Sequence, residues 1–332
     1  MRNFLFKNMK TAECVSPMHP DKICDYIADS ILDAYLEKDK KSRCAIEVMG
    51  GHDLITINGE VTSSANIDIE DLVKKMVGSK FKIISNIVKQ SLEISRGVDS
   101  GGAGDQGIMM GYACNENEEM VPLEYYFARN ICNHIYKKYP YDGKVQVTLS
   151  YDEKNYNDAT IIASFQNVDS KTLEETVREW VDKNSTKFFR IFQYKVFVNT
   201  AGDWTQGGFD ADTGLSGRKL VIDNYGPEIP IGGGSFSGKD YTKVDRSGAY
   251  MARKVAVDLL KKHNAKKVYT KLAYAIGKSQ PVMAVANIDG VEVPIEGYDL
   301  TPNGIYKYLE LDKVHYSKTS NWGHFGRNFS WE

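Results

Sequence analysis

The order of the predicted helices and strands constrains the fold of this 332-residue chain more than any single motif. Proline suits the first position of a helix, so a helix is predicted to begin directly after His19. Strands at 44–50 and 54–61 and a helix at 69–77 follow it. The later elements are a helix at 123–138, strands at 145–151 and 160–165, a helix at 170–183 with Ser170 as its cap, a helix at 245–262, strands at 268–276 and 282–288, and a helix after Thr301-Pro302. This order, repeated about every hundred residues, predicts an α+β fold of three related units, each an antiparallel sheet backed by helices.

Glycine-rich segments at 97–111 and 202–238 separate the three units. Glycine-rich, polar chain between periodic elements is typical of loops. We therefore place the unit boundaries at 1–110, 111–205 and 206–332. Loops that are held by rigid sheets often carry binding and catalytic residues, so these segments are the first candidates for a site.

The charge balance excludes several classes of partner. The chain has 42 lysine and arginine residues, 44 aspartate and glutamate residues and a net charge of -2. It has no long basic run, so neither nucleic acid nor a membrane surface is expected as a partner. The start, MRNFLFKNMK, lacks the apolar core of a signal peptide, which predicts a cytoplasmic protein. The five scattered cysteines lack a C-x-x-C pair and are expected to be reduced packing residues.

Four aspartates recur at every fourth position of the first helix. Asp21 lies in the first turn beside His19, where free backbone N–H groups and a loop can meet a ligand. For Asp25, Asp29 and Asp33 we expect a solvated helix face, the usual position of a carboxylate row.

The segment 231–246, IGGGSFSGKDYTKVDR, combines four glycines, two lysines and two aspartates. This mixture suits a polyphosphate with its metal, because phosphates accept from backbone N–H and ammonium groups while Mg²⁺ takes carboxylate oxygens. A P-loop is disfavoured because Asp240 follows Gly238-Lys239 where that motif needs Ser or Thr. The segment 102–107, GAGDQG, matches a dinucleotide motif, but polar chain precedes it and a predicted strand, IMMGYA, follows it, so we reject a dinucleotide-binding fold. A plain surface loop is the alternative for both segments.

Several charged residues occupy predicted strand or loop positions: Glu47, Glu60, Lys144 and Arg218-Lys219. Each one alone is typical of an outward strand position. The chain has no H-E-x-x-H, no C-x-x-C and no serine triad pattern, so neither zinc nor a protein nucleophile is expected. Together the charged residues favour phosphate chemistry.

The chain resembles the S-adenosylmethionine synthetase family, also called methionine adenosyltransferases, in five segments that occur in the family's order. These segments are ECVSPMHPDKICD from Glu13, GAGDQGIMMGYACNE from Gly102, TGLSGRK from Thr213, GGGSFSGKDYTKVDRS from Gly232 and GHFGR from Gly323. The resemblance covers nearly the whole chain. It implies three α+β units about a pseudo-threefold axis, with domains that interleave along the sequence.

The resemblance also implies transfer of the adenosyl group of ATP to the sulfur of L-methionine, followed by cleavage of the released triphosphate to pyrophosphate and phosphate. The implied catalytic residues are His19, Lys144, Arg218, Lys219 and Lys239. Further ATP contacts are implied for Asp142, Trp204, Asp212 and Ser235, and methionine contacts for Glu60, Gln90, Asp212 and Lys243. Asp21 and Asp245 would each hold one of two Mg²⁺ ions, and Glu47 would hold K⁺.

The family builds its site between two subunits, which implies a homodimer or a dimer of dimers. The chain departs from the family pattern at Pro17-Met18, where Glu-Gly is usual, at Asp203-Trp204, where Arg-Phe is usual, and at Ser235. The segment 90–105, which matches the family's gating loop, is shorter than usual. A noncatalytic nucleotide-binding subunit and an ATP hydrolase that ignores methionine are the alternative hypotheses.

Overall fold

The computed structural model describes residues 8–90, 101–151, 156–188 and 193–332. Seven α-helices are found in these ranges: α1 Pro20–Lys38, α2 Ile69–Val77, α3 Leu123–Lys138, α4 Ser170–Asn184, α5 Leu220–Asp223, α6 Val244–His263 and α7 Pro302–Tyr308. The strands are β1 Asn8–Val15, β2 Arg43–Gly51, β3 Leu54–Thr62, β4 Lys82–Val88, β5 Gly107–Cys114, β6 Gly143–Tyr151, β7 Tyr156–Phe165, β8 Gln193–Val198, β9 Gly214–Leu215, β10 Lys267–Tyr274, β11 Met283–Ile288 and β12 Val291–Pro294. The predicted helices and strands are confirmed, with ends that differ by a few residues.

Three four-stranded sheets form the framework, which confirms the α+β fold of three units. Their strand orders are β4-β3-β2-β9, β1-β6-β7-β8 and β12-β11-β10-β5. Helices α1, α3 and α6 pack on these three sheets in turn. One continuous hydrophobic cluster joins the units, since it includes Ile27 of α1, Val147 of β6 and Leu272 of β10, all fully buried.

Two of the sheets are mixed, whereas the sequence predicted antiparallel sheets. β4 pairs with β3 in parallel, and β8 pairs with β7 in parallel. In each case a helix, α2 or α4, lies between the two strands in the chain, and a helical crossover brings the second strand back in the same direction. The third sheet is antiparallel throughout. Its last two strands, β11 and β12, are joined by a tight turn at Asp289-Gly290, with positive φ at both residues.

Each sheet contains a strand from a distant part of the chain. β1, which precedes α1, pairs with β6 in the second sheet. β5 pairs with β10 in the third sheet, and β9 pairs with β2 in the first. The contiguous boundaries at 1–110, 111–205 and 206–332 stay a prediction.

Two local predictions about side chains have different outcomes. The expected serine cap of α4 is wrong, because Asp169 is the cap residue and its carboxylate accepts the N–H of Thr172 at 3.0 Å. The five cysteines are free and buried, as expected of packing residues. Across the described ranges, no helix combines the length and apolar character needed to cross a membrane.

Candidate active site

The start of α1 brings four predicted site residues together, and we call His19, Asp21, Arg218 and Lys219 the N-terminal group. His19 caps the helix, and its Nδ1 accepts the backbone N–H of Asp21 at 3.2 Å. The fully buried Asp21 accepts the N–H of Leu215 at 2.8 Å and the ammonium of Lys219 at 2.5 Å. Arg218 Nε lies 3.1 Å from the same carboxylate. The short strand β9 thus fixes two adjacent cations against the helix start.

His19 is neutral at neutral pH. Burial, followed by the positive charges of Lys219 and Lys144, lowers the pKa of His19 to about 4, although Asp21 acts in the opposite direction. Because Nδ1 accepts a hydrogen bond, the ring proton belongs on Nε2, which makes Nε2 a donor. The site therefore offers a neutral N–H beside two cations.

This pKa predicts the titration of His19. Its folded value lies below the ordinary 6.5, so the neutral ring contributes stability that is complete above pH 6.5 and is lost as the pH falls toward 4. In an NMR titration, the ring signals of His19, assigned by their absence in His19→Gln, should keep the neutral form from pH 8 to about pH 5.5. A midpoint above pH 6 would contradict the assignment.

The segment 231–246 carries a second cluster, and we call Lys239, Asp240, Lys243 and Asp245 the glycine-loop group. Lys239 Nζ lies 2.8 Å from Asp245 Oδ2, and Lys243 Nζ lies 2.7 Å from Asp240 Oδ2. The buried carboxylate of Asp240 also accepts the N–H of Cys44 in β2 at 2.7 Å. The aspartate that disfavours a P-loop therefore attaches this loop to the first sheet.

Glycine at 238 is required by this attachment. The loop pairs with β2 through a bridge between Ala45 and Lys239. Gly238 has φ of +79°, and a Cβ there would lie 2.1 Å from the carbonyl oxygen of Ile46. A side chain at this position would push the loop, and with it Lys239, away from the sheet.

Asp25 and Asp29 of α1 are buried and Asp33 is half-buried, so the prediction of a solvated face is wrong. Asp25 accepts the N–H of Gly217 at 2.9 Å, Asp29 accepts that of Gly238 at 2.8 Å, and Asp33 accepts those of Tyr316 and Ser317 at 2.8 and 2.9 Å. Asp25 and Asp29 are nearly or fully inaccessible to solvent. Their partners lie about two hundred residues further along the chain, beyond the reach of a periodicity argument. One helix face therefore holds the loops that bear both groups of site residues.

Asp29 and Arg246 form a fully buried ion pair behind the glycine-loop group. The guanidinium donates to both carboxylate oxygens, at 2.7 and 2.9 Å, in the bidentate arrangement. Arg246 also donates to the carbonyl oxygen of Lys239 at 3.0 Å and to Thr319 Oγ1 at 2.8 Å. The pair fixes the backbone from which Lys239 projects.

Glu47 lies between the two groups. Its Oε2 accepts from Ser216 Oγ at 2.6 Å, and that hydroxyl accepts the N–H of Val48 at 3.0 Å. The charge of Glu47 interacts with those of Lys239 and Glu60. Among the described residues, no hydrogen bond or ion pair directly links side chains of the N-terminal group with those of the glycine-loop group.

The predicted nucleotide residues extend from the N-terminal group toward the second sheet. Lys144 of β6 lies 3.5 Å from Glu13 of β1. Both Lys144 and Asp212 act electrostatically on His19. Burial raises the pKa of Asp142, which accepts the N–H of Gly208 at 2.9 Å.

Ser235 and Gln90 occupy contrasting positions. Ser235 touches the loop that bears Arg218, since a Cβ on Gly217 would lie 2.6 Å from the serine Cβ. Gln90 has a buried Oε1 without a hydrogen-bond partner in the described part of the chain. The rest of the predicted gate includes 91–100, which lie outside the described residues.

Asp21 and Asp245 are suitable in chemistry for Mg²⁺ but do not form a preformed cage. In the ranges that the structure describes, no three His, Cys, Asp or Glu side chains are arranged to hold a metal ion. Mg²⁺ commonly takes one or two protein carboxylates and completes its shell with phosphates and water. Two separate carboxylates, each beside lysine, fit an ion that arrives with a polyphosphate.

Sequence reasoning missed the residues that support the site. Asp25, Ser216 and Asp240 lie in segments that carry the family resemblance, but no role was assigned to them, and Asp29 lies outside those segments. Arg246 lies inside the glycine-rich stretch and was given no role. The four-residue spacing of the aspartates was the available signal, and we interpreted it as a solvent-exposed helix face.

Family models match all three units of the chain. The N-terminal, central and C-terminal domains of S-adenosylmethionine synthetase match residues 7–91, 100–204 and 206–332. The chain is 41% identical to an S-adenosylmethionine synthase of Mycoplasmopsis pulmonis, over 97% of this chain and 94% of that protein. It is 38% identical to the S-adenosylmethionine synthase of Pelagibacter ubique, over 100% of this chain and 97% of that protein.

A solved structure gives the same result. It is described as an unusual S-adenosylmethionine synthetase from Campylobacter jejuni, and it superposes with a TM-score of 0.86 at 31% identity. The superposition covers 97% of this chain and 96% of that one. The resemblance found in the sequence is thereby confirmed: the chain belongs to the S-adenosylmethionine synthetase family.

Proposed function

We propose that this protein is a methionine adenosyltransferase that forms S-adenosylmethionine from ATP and L-methionine. The observation that carries the proposal is the N-terminal group, in which neutral His19 lies beside Arg218 and Lys219 on the buried carboxylate of Asp21. A noncatalytic subunit of the same fold would have no need to keep two cations against a buried carboxylate, because burial of charge is costly.

The reaction explains why cations outnumber acid–base residues in the site. The thioether sulfur has no proton to lose, so it can attack C5′ of ATP without a general base. The S–C5′ bond forms as the C5′–O bond breaks, and triphosphate leaves with the electron pair. Catalysis then depends on alignment and on stabilising the negative charge that develops on the leaving oxygen.

Each charged residue has a part in this scheme. His19 would donate from Nε2 to the leaving oxygen, while Lys144, Arg218, Lys219 and Lys239 would bind the triphosphate. The planar guanidinium of Arg218 is suited to bind phosphate oxygens while water cleaves the triphosphate to pyrophosphate and phosphate. Asp21 and Asp245 would hold the two Mg²⁺ ions, which supply positive charge at the phosphates when bound.

Methionine would be held by Glu60, Gln90, Asp212 and Lys243. The unpartnered Oε1 of Gln90 supports this role, because a buried acceptor without a donor suits a ligand N–H. Lys243 uses one of its three N–H donors on Asp240, which leaves the others for the substrate carboxylate. On the nucleotide side, Asp142, Trp204 and Ser235 would line the ATP.

We also infer that the protein is at least a homodimer whose sites lie between subunits. Large apolar side chains are exposed on strands of all three sheets: Met49 (47%), Phe197 (46%) and Ile108 (53%) are examples. Apolar side chains exposed on the sheets are available to pack against a second subunit. Light scattering across a range of protein concentrations should give the mass of a dimer or of a dimer of dimers. A catalytically competent monomer would contradict this proposal.

Mass-resolved product analysis tests the proposed function. With ATP, methionine, Mg²⁺ and K⁺, the protein should form a sulfonium product with phosphate and pyrophosphate. A noncatalytic subunit would bind ATP without forming that product, and a simple ATP hydrolase would release phosphate equally fast without methionine. Absence of the sulfonium product at saturating substrate would sink the proposal.

Removal of the Glu47 charge should abolish activation by K⁺. Glu47→Gln keeps the size of the side chain and an acceptor for Ser216, but it removes the negative charge that would bind the cation. The rate of the variant should be the same in potassium and sodium buffers and equal to the potassium-free rate of the parent protein. A variant that retains activation by K⁺ would remove Glu47 from this role.

A further inference from the structure

The indole of Trp204 is held at both ends of its ring. Its Nε1–H donates a hydrogen bond to Ser164 Oγ at 3.0 Å. At the opposite edge, a Cβ built on Gly207 would lie 2.8 Å from Cζ3 of the indole. The backbone is fixed too, because the carbonyl of Trp204 accepts the N–H of Asn167 at 2.9 Å. The plane of the ring is therefore defined before any ligand binds.

The residue before Trp204 adds to this restraint. The carboxylate of Asp203 accepts from Ser170 Oγ at 2.6 Å and from Asn199 Nδ2 at 3.1 Å. Asp203 thus joins the loop to the start of α4 and to the end of β8. The carboxylate of Asp203 therefore fixes the backbone of the loop. It cannot supply the positive charge that the family's usual arginine would offer to phosphate.

Ser164 also places the indole beside the candidate site. On the ladder between β6 and β7, Ser164 is directly opposite Lys144, so both side chains lie on the same face of the second sheet. Lys144 is close enough to His19 to lower the pKa of its ring. The fixed indole therefore lies on the face of the sheet that leads to the N-terminal group.

We propose that Ser164 is a positioning residue that sets the plane of the Trp204 indole as a stacking surface for the purine base of ATP. This inference rests on the proposed function and adds a positioning role for Ser164. A phenylalanine at 204 has no N–H, so it could not be held in this way. Without the indole N–H, the hydroxyl of Ser164 would lose this hydrogen bond.

A ring that is fixed in advance strengthens ground-state binding of the nucleotide. Less side-chain freedom is lost when the base stacks on it, so the benefit falls on affinity for ATP. The bond changes occur at C5′ and the triphosphate, away from the base. Loss of the restraint should consequently raise the KM for ATP and leave kcat nearly unchanged.

Four variants test the assignment: Ser164→Ala, Ser164→Thr, Trp204→Phe and the double variant Ser164→Ala with Trp204→Phe. Ser164→Ala should raise the KM for ATP about threefold to tenfold, the factor expected from one hydrogen bond, with kcat within about twofold. Ser164→Thr keeps the hydroxyl on a strand-compatible side chain and should match the parent protein. In the Trp204→Phe background, Ser164→Ala should have no further effect.

Three outcomes would overturn the proposal. The first is an unchanged KM for ATP in Ser164→Ala. The second is an equal effect of Ser164→Ala on this KM in the tryptophan and phenylalanine backgrounds. The third is a KM for ATP in Ser164→Thr as high as that in Ser164→Ala. Either of the last two would mean that the change in KM comes from a general perturbation of β7, because the double-mutant cycle isolates the interaction between Ser164 and Trp204.

Failure of the proposed function can be told apart from failure of this inference. If the parent protein forms no sulfonium product, binding of an ATP analogue with an imido bridge is measured by calorimetry for the same variants. The dissociation constant should then follow the same pattern as the KM. Equal dissociation constants for parent and Ser164→Ala would overturn the role of Ser164 whatever reaction the protein catalyses.

Discussion

Replacement of Lys219 by methionine is expected to lower kcat by about 10²-fold to 10³-fold, the usual loss when one preorganised charge is removed from a developing anion. The ammonium of Lys219 lies 2.5 Å from the buried carboxylate of Asp21, at the start of α1. Methionine keeps most of the volume of the side chain but cannot stabilise the departing triphosphate. The rate of sulfonium formation under saturating ATP and methionine measures the effect.

Lys254 provides a matched control for this variant. Its side chain is 19% exposed, against 16% for Lys219, and it is also paired with an aspartate, Asp258, on α6. Lys254→Met should therefore lose little activity, because the lysine is similarly exposed but its ion pair lies outside the candidate site. Both variants should keep the circular dichroism spectrum of the parent. A Lys219→Met enzyme within about tenfold of the parent rate would contradict the assigned role.

Replacement of Arg246 by methionine is expected to lower the free energy of unfolding by about 3 to 5 kcal/mol. The change leaves Asp29 fully buried without its counter-ion, and burial already raises the pKa of that carboxyl. Denaturant unfolding at fixed protein concentration measures the effect, since stability of an oligomer depends on concentration.

A second substitution shows whether the uncompensated charge is the cause. Asn at position 29 removes the charge and keeps an acceptor for the N–H of Gly238, so Asp29→Asn with Arg246→Met should be more stable than Arg246→Met alone. Arg178→Met is the control: Arg178 pairs with Glu174 on the exposed surface of α4 and should cost less than about 1 kcal/mol. Additive losses in the double variant would refute the explanation.

The sequence was sufficient to predict the fold class and most helices and strands. Periodicity located α1, α3 and α6 because each of them has a strong apolar face against a sheet. It could not predict the parallel pairing of β4 and β8, because neither strand was recognised and the direction of pairing depends on the crossover helix. Pairing partners far apart in the chain leave no local signal.

The candidate site was predicted unevenly for a related reason. Residues that face a ligand, such as His19, Asp21 and Lys239, lie in recognisable motifs. Residues that hold those motifs in place, such as Asp25 and Asp29, differ from solvated carboxylates only in their distant partners. An amphipathic pattern describes which face is apolar, and it cannot tell a buried polar face from an exposed one.

The exchange of strands between units has a consequence for how the protein is made. During synthesis, β1 leaves the ribosome first, yet its pairing partner β6 follows more than a hundred residues later, with Asn8 opposite Tyr151. At about 5 to 20 residues per second, the first strand therefore waits for roughly 7 to 30 seconds with an unpaired edge. β5 waits similarly for β10, whose residues begin at Lys267. We expect ribosome-bound chains that end before β10 to remain sensitive to protease and to bind chaperones. The third sheet cannot form before β10 has been synthesised.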